Sequence, residues 1–280
     1  MKRLAFVLFL LSGIAIVWLC NDLVSSLRSS GAGPALRRED IRLSYDGKSI
    51  TYWEKQALIQ MPQGNFEKAI LPVVKKMGPE AVPFWLNRLQ TKDSKATLFY
   101  AKLWASLPTL LRPVLPEPMP QRVRRNVAWQ ILDNLQFTNG IPELIQLSYS
   151  KDAELQRYAL QLLWGRAYRF YRPSDKCVAA FCSALKATDQ QTRLWAVHGL
   201  NILPLREEAL PALQLALNDV DEEVRVNAAI AVTKLQPSYE LTHVFQAGLT
   251  SSNPNVRVIS EVALANLQRR QRASPSNSSP

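Results

Sequence analysis

The sequence predicts an all-α chain in which pairs of helices repeat and stack into an α-α superhelix, or α-solenoid. Arginines recur every 32 residues at Arg193, Arg225 and Arg257, and a small residue follows each of them three positions later. Composition agrees, because 47% of the 280 residues are hydrophobic and only 10 are glycine, which leaves little for a turn-rich β architecture. A period in the low thirties that holds two helices is typical of a helical solenoid.

Residues 1–24 are predicted to form a signal anchor, an N-terminal transmembrane helix that precedes the solenoid. Lys2 and Arg3 come before an uncharged run from Leu4 to Cys20. This run is near the short end of the roughly 17–25 residues that span a bilayer and exceeds the ~7–15 of a signal-peptide core. The positive charge before it favours a cytoplasmic N-terminus. A signal peptide that is cleaved near Val24-Ser25-Ser26, giving a secreted protein, is the alternative.

Three further segments follow the anchor. Residues 25–44 are rich in serine, glycine and arginine and are expected to be a flexible linker. Residues 45–268 are expected to form one elongated solenoid domain. Residues 269–280 have no apolar pattern and are expected to be a disordered tail.

The repeated unit consists of two amphipathic helices. The second helix of each pair is predicted at residues 119–136, 152–167, 189–204, 221–236 and 253–268, and first helices are predicted to end at Leu115, Leu147, Leu185, Leu217 and Leu249. Polar residues stand where an N-cap is needed, at Asp152, Asp189, Asp221 and Asn253. The recurring alanine or serine is expected to let helix backbones approach closely. Arg225 is expected to bond across the adjoining turn.

The acid-x-x-x-Val-Arg-x-x-Ala pattern at residues 221–236 and 253–268 resembles the second helix of HEAT repeats. The Gly47-Lys48 and Tyr52-Trp53 segment, followed by Met77-Gly78 and Ala81-Val82-Pro83, resembles the opening of bacterial membrane-anchored HEAT-repeat proteins. This resemblance implies a binding scaffold without a catalytic site. With the predicted anchor, it implies an inner-membrane protein whose solenoid faces the periplasm.

Charge is distributed unevenly: residues 41–176 carry a net +9, and residues 205–261 carry −4. The candidate residues for binding an anionic partner are Arg122, Arg124, Arg125, Arg166, Arg169, Arg172 and Lys176. Basic residues mixed with aromatic ones can grip phosphate and stack on bases. Acidic lipid headgroups or an acidic protein could meet the same residues. The alternative to a scaffold is therefore a solenoid enzyme or nucleic-acid-binding protein of the DNA-glycosylase or chromophore-lyase kind that uses residues 164–176.

Motifs that carry catalysis or hold cofactors are missing from the sequence. His-Glu-x-x-His, Gly-x-Ser-x-Gly and Gly-x-x-x-x-Gly-Lys do not occur, so we expect no catalysis, metal or cofactor. His198 is expected to be a packed histidine, and Cys177 and Cys182 are expected to be free thiols. The tryptophans fall in helical patterns and are expected to pack in the core. The predicted function is a membrane-anchored scaffold, with protein partners preferred over nucleic acid.

Overall fold

The computed structural model describes residues 43–109, 112, 117–169, 174–203, 207–237 and 240–273. The predicted anchor at residues 1–24 and most of the predicted linker lie outside these ranges. In the part of the chain that is described, no helix combines the length and apolar character needed to cross a bilayer. The chain divides into two compact units, residues 1–137 and residues 138–280.

The described part of the first unit contains a short hairpin followed by helices. Its strands are β1 (Ser44–Tyr45) and β2 (Lys48–Ser49), and its longer elements are α1 (Ile50–Gln60), a π-helical turn (Phe66–Ile70), α2 (Leu71–Val74), a 3-10 turn (Pro79–Ala81), α3 (Val82–Leu89), α4 (Lys95–Ser106) and α5 (Gln121–Asn134). The core lies mainly between α3 and α5. The first residues of the predicted solenoid, which was expected to begin at residue 45, therefore form part of a β-hairpin that the helical pattern did not predict.

The hairpin turn forms at Asp46 and Gly47. Both residues have positive φ, 50° and 72°, which is the conformation required at the centre of a two-residue type I′ turn. The strands pair antiparallel, with Tyr45 opposite Lys48. The indole Nε1 of Trp53 on α1 donates to the Tyr45 carbonyl at 2.8 Å. The hairpin is thereby fastened to the first helix.

The second unit repeats one arrangement of helices. We call its first helices the A helices: α6 (Ile141–Leu147), α8 (Asp175–Ala184), α10 (Leu210–Ala216) and α12 (Thr242–Leu249). The second helices, called the B helices, are α7 (Ala153–Arg169), α9 (Gln190–Ile202), α11 (Glu222–Leu235) and α13 (Pro254–Ala273). Each A helix packs on the B helix that follows it, and each B helix packs on the next. The predicted helix pairs at these positions are confirmed.

The small residues of the repeat are buried where helices meet. Ala159, Ala196, Ala228 and Ser260 all have 0% exposure. In addition, a Cβ on Gly199 of α9 would lie 2.3 Å from the Phe181 ring of α8. Side chains larger than these would separate the helices, so the prediction of close backbone approach is confirmed.

The recurring arginines make the same local contact in three successive repeats. Nη1 of Arg225 donates to the carbonyls of Asp219 and Val220, at 2.7 and 3.1 Å. Arg193 and Arg257 donate to the carbonyls six and five positions before them in the same way. Each arginine therefore closes the turn that joins its A and B helices, which confirms the expectation for Arg225.

The N-caps are also confirmed, and neighbouring caps are linked. Side chains of Asp152, Asp189, Asp221 and Asn253 each accept a backbone N–H in the first turn of a B helix. Polar side chains then join each turn to the next one: Arg157 with Asp189, Gln190 with Asp221, and Glu223 with Asn253. The turns thus form a continuous polar row along one edge of the second unit.

The last B helix differs from the others in what it leaves exposed. Val258 of α13 is 60% exposed, although the residues in register with it, Leu194 and Val226, are buried. Glu261 is exposed at the position that Ala229 occupies in α11, where exposure is 0%. The helix continues to Ala273, so it includes the first five residues of the predicted tail.

Candidate binding surface

The three candidate arginines of the first unit do not form one exposed cluster. Arg122 is exposed on α5, whereas Arg124 pairs with Asp93 and is only partly exposed. Arg125 is 1% exposed, because it shares the inward stripe of α5 with Ala128 and Leu132. Asp93 also accepts the backbone N–H of Gln121 at 3.1 Å, so the Arg124 contact anchors the start of α5. The prediction that Arg125 is available to an anion is wrong.

Of the four candidates in the second unit, the structure describes the side chains of Arg166 and Lys176. Arg166 is 2% exposed, because it follows Leu162 and Leu163 on the buried stripe of α7. Lys176 is exposed in the first turn of α8. The backbone of Arg169 belongs to α7, but its side chain and all of Arg172 lie outside the described residues. The prediction for Arg166 therefore fails, since a buried guanidinium cannot meet a macromolecular partner.

An aromatic cluster lies on adjacent B helices of the second unit. The rings of Trp164 on α7 and Trp195 on α9 meet edge to face, with centroids 5.5 Å apart at 73°. His198, one turn after Trp195, makes a second edge-to-face contact at 5.8 Å and 85°. All three side chains are partly exposed. The expectation that the tryptophans are core residues is confirmed for Trp85, at 1% exposure, but not for Trp164 and Trp195.

Residues at equivalent positions of the later repeats extend this cluster into a surface. His198 of α9 corresponds to Ile230 of α11 and Val262 of α13, both at least partly exposed. We define the B face as these positions together with Trp164 and Trp195. Sequence alignment of the repeats brought the three positions into register, but it gave no sign that they are exposed.

His198 is a packed histidine, as predicted. Burial lowers its pKa below the ordinary 6.5, so the imidazole is neutral at physiological pH. Cys177 is buried, burial raises the pKa of its thiol to about 12, and both it and Cys182 are free. The described ranges hold no group of three or more His, Cys, Asp or Glu side chains that could bind a metal.

Open cavities border the described helices of the second unit. A groove of about 340 Å³ runs between the B helices α11 and α13, with Phe245 of α12 also contributing to its lining. A cavity of about 580 Å³ lies between the A helices α8 and α10, beside Cys182 and the 68%-exposed Leu215. The groove continues the B face, since Ile230 and Val262 line it.

The comparison with protein families supports the repeat geometry. Residues 141–231, about a third of the chain, match the family model of HEAT repeats. The second unit contains a HEAT-like helical repeat domain. The HEAT match begins at α6 and ends within α11, so it includes Trp164, Trp195 and Ile230.

Comparisons with curated proteins and with solved structures reveal less similarity than the family model does. A comparison with curated proteins finds no match. Two crystal structures of engineered proteins, both structural-genomics targets, are 19% identical to the chain, each with a TM-score of 0.35. The first aligns over 78% of this chain and 97% of its own, and the second over 76% and 58%.

Proposed function

We propose that this protein is a non-catalytic scaffold that binds a protein partner through the B face of its HEAT-like domain. We also propose that residues 1–24 anchor it in the inner membrane of a bacterium, with the HEAT-like domain facing the periplasm. The observation that carries the binding proposal is the aromatic cluster. Two tryptophans on successive B helices keep part of their surface exposed, beside His198, which is in register with Ile230 and Val262.

Such a surface suits a protein more than a nucleic acid. Exposed tryptophan beside aliphatic side chains is typical of the residues that contribute most to protein–protein binding. A nucleic acid requires cations that face its phosphates. Of the candidate cations, Arg125 and Arg166 are buried and Arg124 already pairs with Asp93. The proposed partner is accordingly a protein that presents apolar or aromatic side chains.

The binding proposal is tested by site-specific photo-crosslinking in cells that express the full chain. A photoreactive amino acid is placed at Gln161, which is one turn before Trp164 on α7, or at Leu215, which is exposed on the A helix α10. We expect a discrete crosslinked product from position 161 and none of the same size from position 215.

A matched pair of alanine variants shows whether the aromatic cluster is responsible. Trp195→Ala should abolish the crosslink from position 161. Phe99→Ala, which removes an aromatic side chain that is 60% exposed in the first unit, should leave it unchanged. A crosslink that survives Trp195→Ala, or one that both variants remove, would refute binding through the B face.

The location is tested separately. Cells that express a C-terminally tagged chain are fractionated and treated with protease before and after the outer membrane is opened. An anchored protein should sediment with membranes at the full 31.6 kDa plus the mass of the tag, and it should be digested only after opening. A shortened, soluble periplasmic product would mean that the amino terminus is cleaved, and a protected product would reverse the proposed topology.

A further inference from the structure

The groove between α11 and α13 lies where an asparagine bridge found one repeat earlier has no counterpart. Between α9 and α11, the Asn201 amide donates to the Asn227 carbonyl at 3.1 Å. In the next repeat these positions hold Thr233 and Ile259. Thr233 Oγ1 donates instead within its own helix, to the Ile230 carbonyl at 3.0 Å. Thr233 and Ile259 both line the groove between these two B helices.

The lining of the groove is mostly apolar. Ile230, Ile259, Val262 and Leu267 contribute from the two B helices, and Phe245 contributes from α12. Val262 is 54% exposed, and Phe245 is fully buried. A groove with an apolar lining and a partly exposed wall can accept the apolar side chains of a ligand.

Two cations line the same groove. Lys234 Nζ donates to the Asn201 carbonyl at 3.0 Å, and Arg270 Nη1 donates to the corresponding carbonyl of Thr233 at 3.4 Å. Burial, and then the charge of Arg270, lower the pKa of Lys234. Among the described residues, no carboxylate lines the groove and none forms an ion pair with either cation. Two neighbouring cations without an acidic partner attract a negatively charged ligand.

We infer that this groove binds a peptide segment of a partner protein that combines apolar side chains with a carboxylate, the carboxylate lying between Lys234 and Arg270. The inference rests on the proposed scaffold function, since the groove continues the B face, and it specifies the chemistry of the partner. Asn266 also lines the groove and offers an amide that can both donate to and accept from a peptide backbone. A carboxylate at this place completes the charge pairing that the fold leaves unfulfilled.

The test is a selection from a random heptapeptide phage library, carried out in parallel on the full-length chain and on the double variant K234E/R270E. We expect the natural chain to select peptides that contain apolar residues with Asp or Glu. The double variant should select apolar residues with Lys or Arg. A matched control, R269E/R272E, makes the same charge change at two exposed positions of α13 that do not line the groove. It should select the same peptides as the natural chain.

Fluorescence anisotropy with the selected acidic peptide then measures the contribution of the two cations. K234E/R270E should weaken binding at least tenfold, and R269E/R272E should change it less than twofold. Peptides in which the carboxylate is a side chain or the C-terminus distinguish the two sources of the charge. Circular dichroism spectra and thermal unfolding of each variant show whether the fold is retained.

Three outcomes would overturn the inference. They are selection of the same peptides by the natural chain and K234E/R270E, no enrichment on either, and binding of oleate or of vesicles of anionic phospholipid in place of the peptides. If the B-face crosslink from position 161 persists in any of these cases, the scaffold proposal stands and only the groove assignment falls. If that crosslink is absent while the acidic peptide binds, the groove assignment stands and binding through the aromatic cluster falls.

Discussion

Arg193 holds Asp219 through two parallel hydrogen bonds, from Nε to Oδ2 at 2.7 Å and from Nη2 to Oδ1 at 2.9 Å. The same guanidinium closes its own turn, so it joins two successive repeats. The side chains are only 10% and 8% exposed. Arg225 closes its turn as well, but its nearest carboxylate, Glu222, is 3.8 Å away within its own helix.

Because of this difference, the two arginines should contribute unequally to stability. Arg193→Ala leaves the carboxylate of Asp219 without its partner in a poorly solvated place, and we expect it to lower the free energy of unfolding by about 3 kcal/mol. Arg225→Ala removes hydrogen bonds at a more exposed position and should cost about 1 kcal/mol. Urea denaturation of the full-length variants measures both values. Equal losses would show that the link between repeats adds nothing to the closure of the turn.

The protein should also be less stable at low pH, because Asp219 becomes protonated. Burial acts to raise the pKa of Asp219, but hydrogen bonds from Arg193 and from the amide of Asp221 outweigh it and hold the pKa below 3.8. A carboxylate with a depressed pKa contributes its full stability above its unfolded pKa and loses it as the pH falls through the folded value. The urea midpoint, measured between pH 6 and 2.5, should therefore decrease once the pH is below about 4. The decrease should be less steep in Asp219→Asn than in the natural chain. Parallel curves would contradict this assignment.

Gly199 should tolerate no larger side chain while Phe181 is present. A Cβ at this position would lie 2.3 Å from the ring of Phe181, which has 0% exposure. We expect Gly199→Ala to destabilise the protein by about 1–3 kcal/mol, because the helices must shift to relieve the overlap. The control is the same change in a Phe181→Leu background, where its cost should shrink. Thermal unfolding of the four proteins measures the coupling, and strict additivity would exclude this contact as the cause.

Core and surface tryptophans should respond differently to truncation. Trp85 is 1% exposed, so Trp85→Ala should cost about 3–5 kcal/mol through the cavity it leaves. Trp195 keeps part of its surface in solvent, and Trp195→Ala should cost about 1 kcal/mol. Chemical denaturation measures both. A large loss in Trp195→Ala would assign the aromatic cluster to the core and leave the B face without its main feature.

The repeat itself could be predicted because it depends on residues close together in the sequence. Arg225 lies within six residues of both carbonyls that it contacts, and Asp221 lies three residues before the N–H that it caps. Helix boundaries and turn contacts of this kind need no knowledge of distant residues. The hairpin at Asp46-Gly47 could also have been predicted from the sequence, since that dipeptide is a strong signal for a two-residue turn.

Exposure was harder to predict because it depends on which side chains the neighbouring repeat supplies. The sequence pattern predicts that Arg125 and Arg166 bind an anionic partner, although each lies on the buried stripe of its helix. Trp195 occupies the position that Asn227 and Ile259 hold in later repeats, and only the packing of α7 against α9 decides how much of the indole is covered. The groove likewise lies where two repeats differ in a pair of residues, Asn201 with Asn227 in one and Thr233 with Ile259 in the next.

The carboxylate of Glu261 has a consequence for self-association. A second molecule that continued the array from α13 with the same helix spacing would have to cover Glu261, where Ala229 fits without exposure one repeat earlier. Burying a carboxylate without a partner costs several kcal/mol. Head-to-tail contacts of this kind are the ones that grow into open filaments. The exposed carboxylate of Glu261 should therefore disfavour head-to-tail stacking of a second molecule on α13.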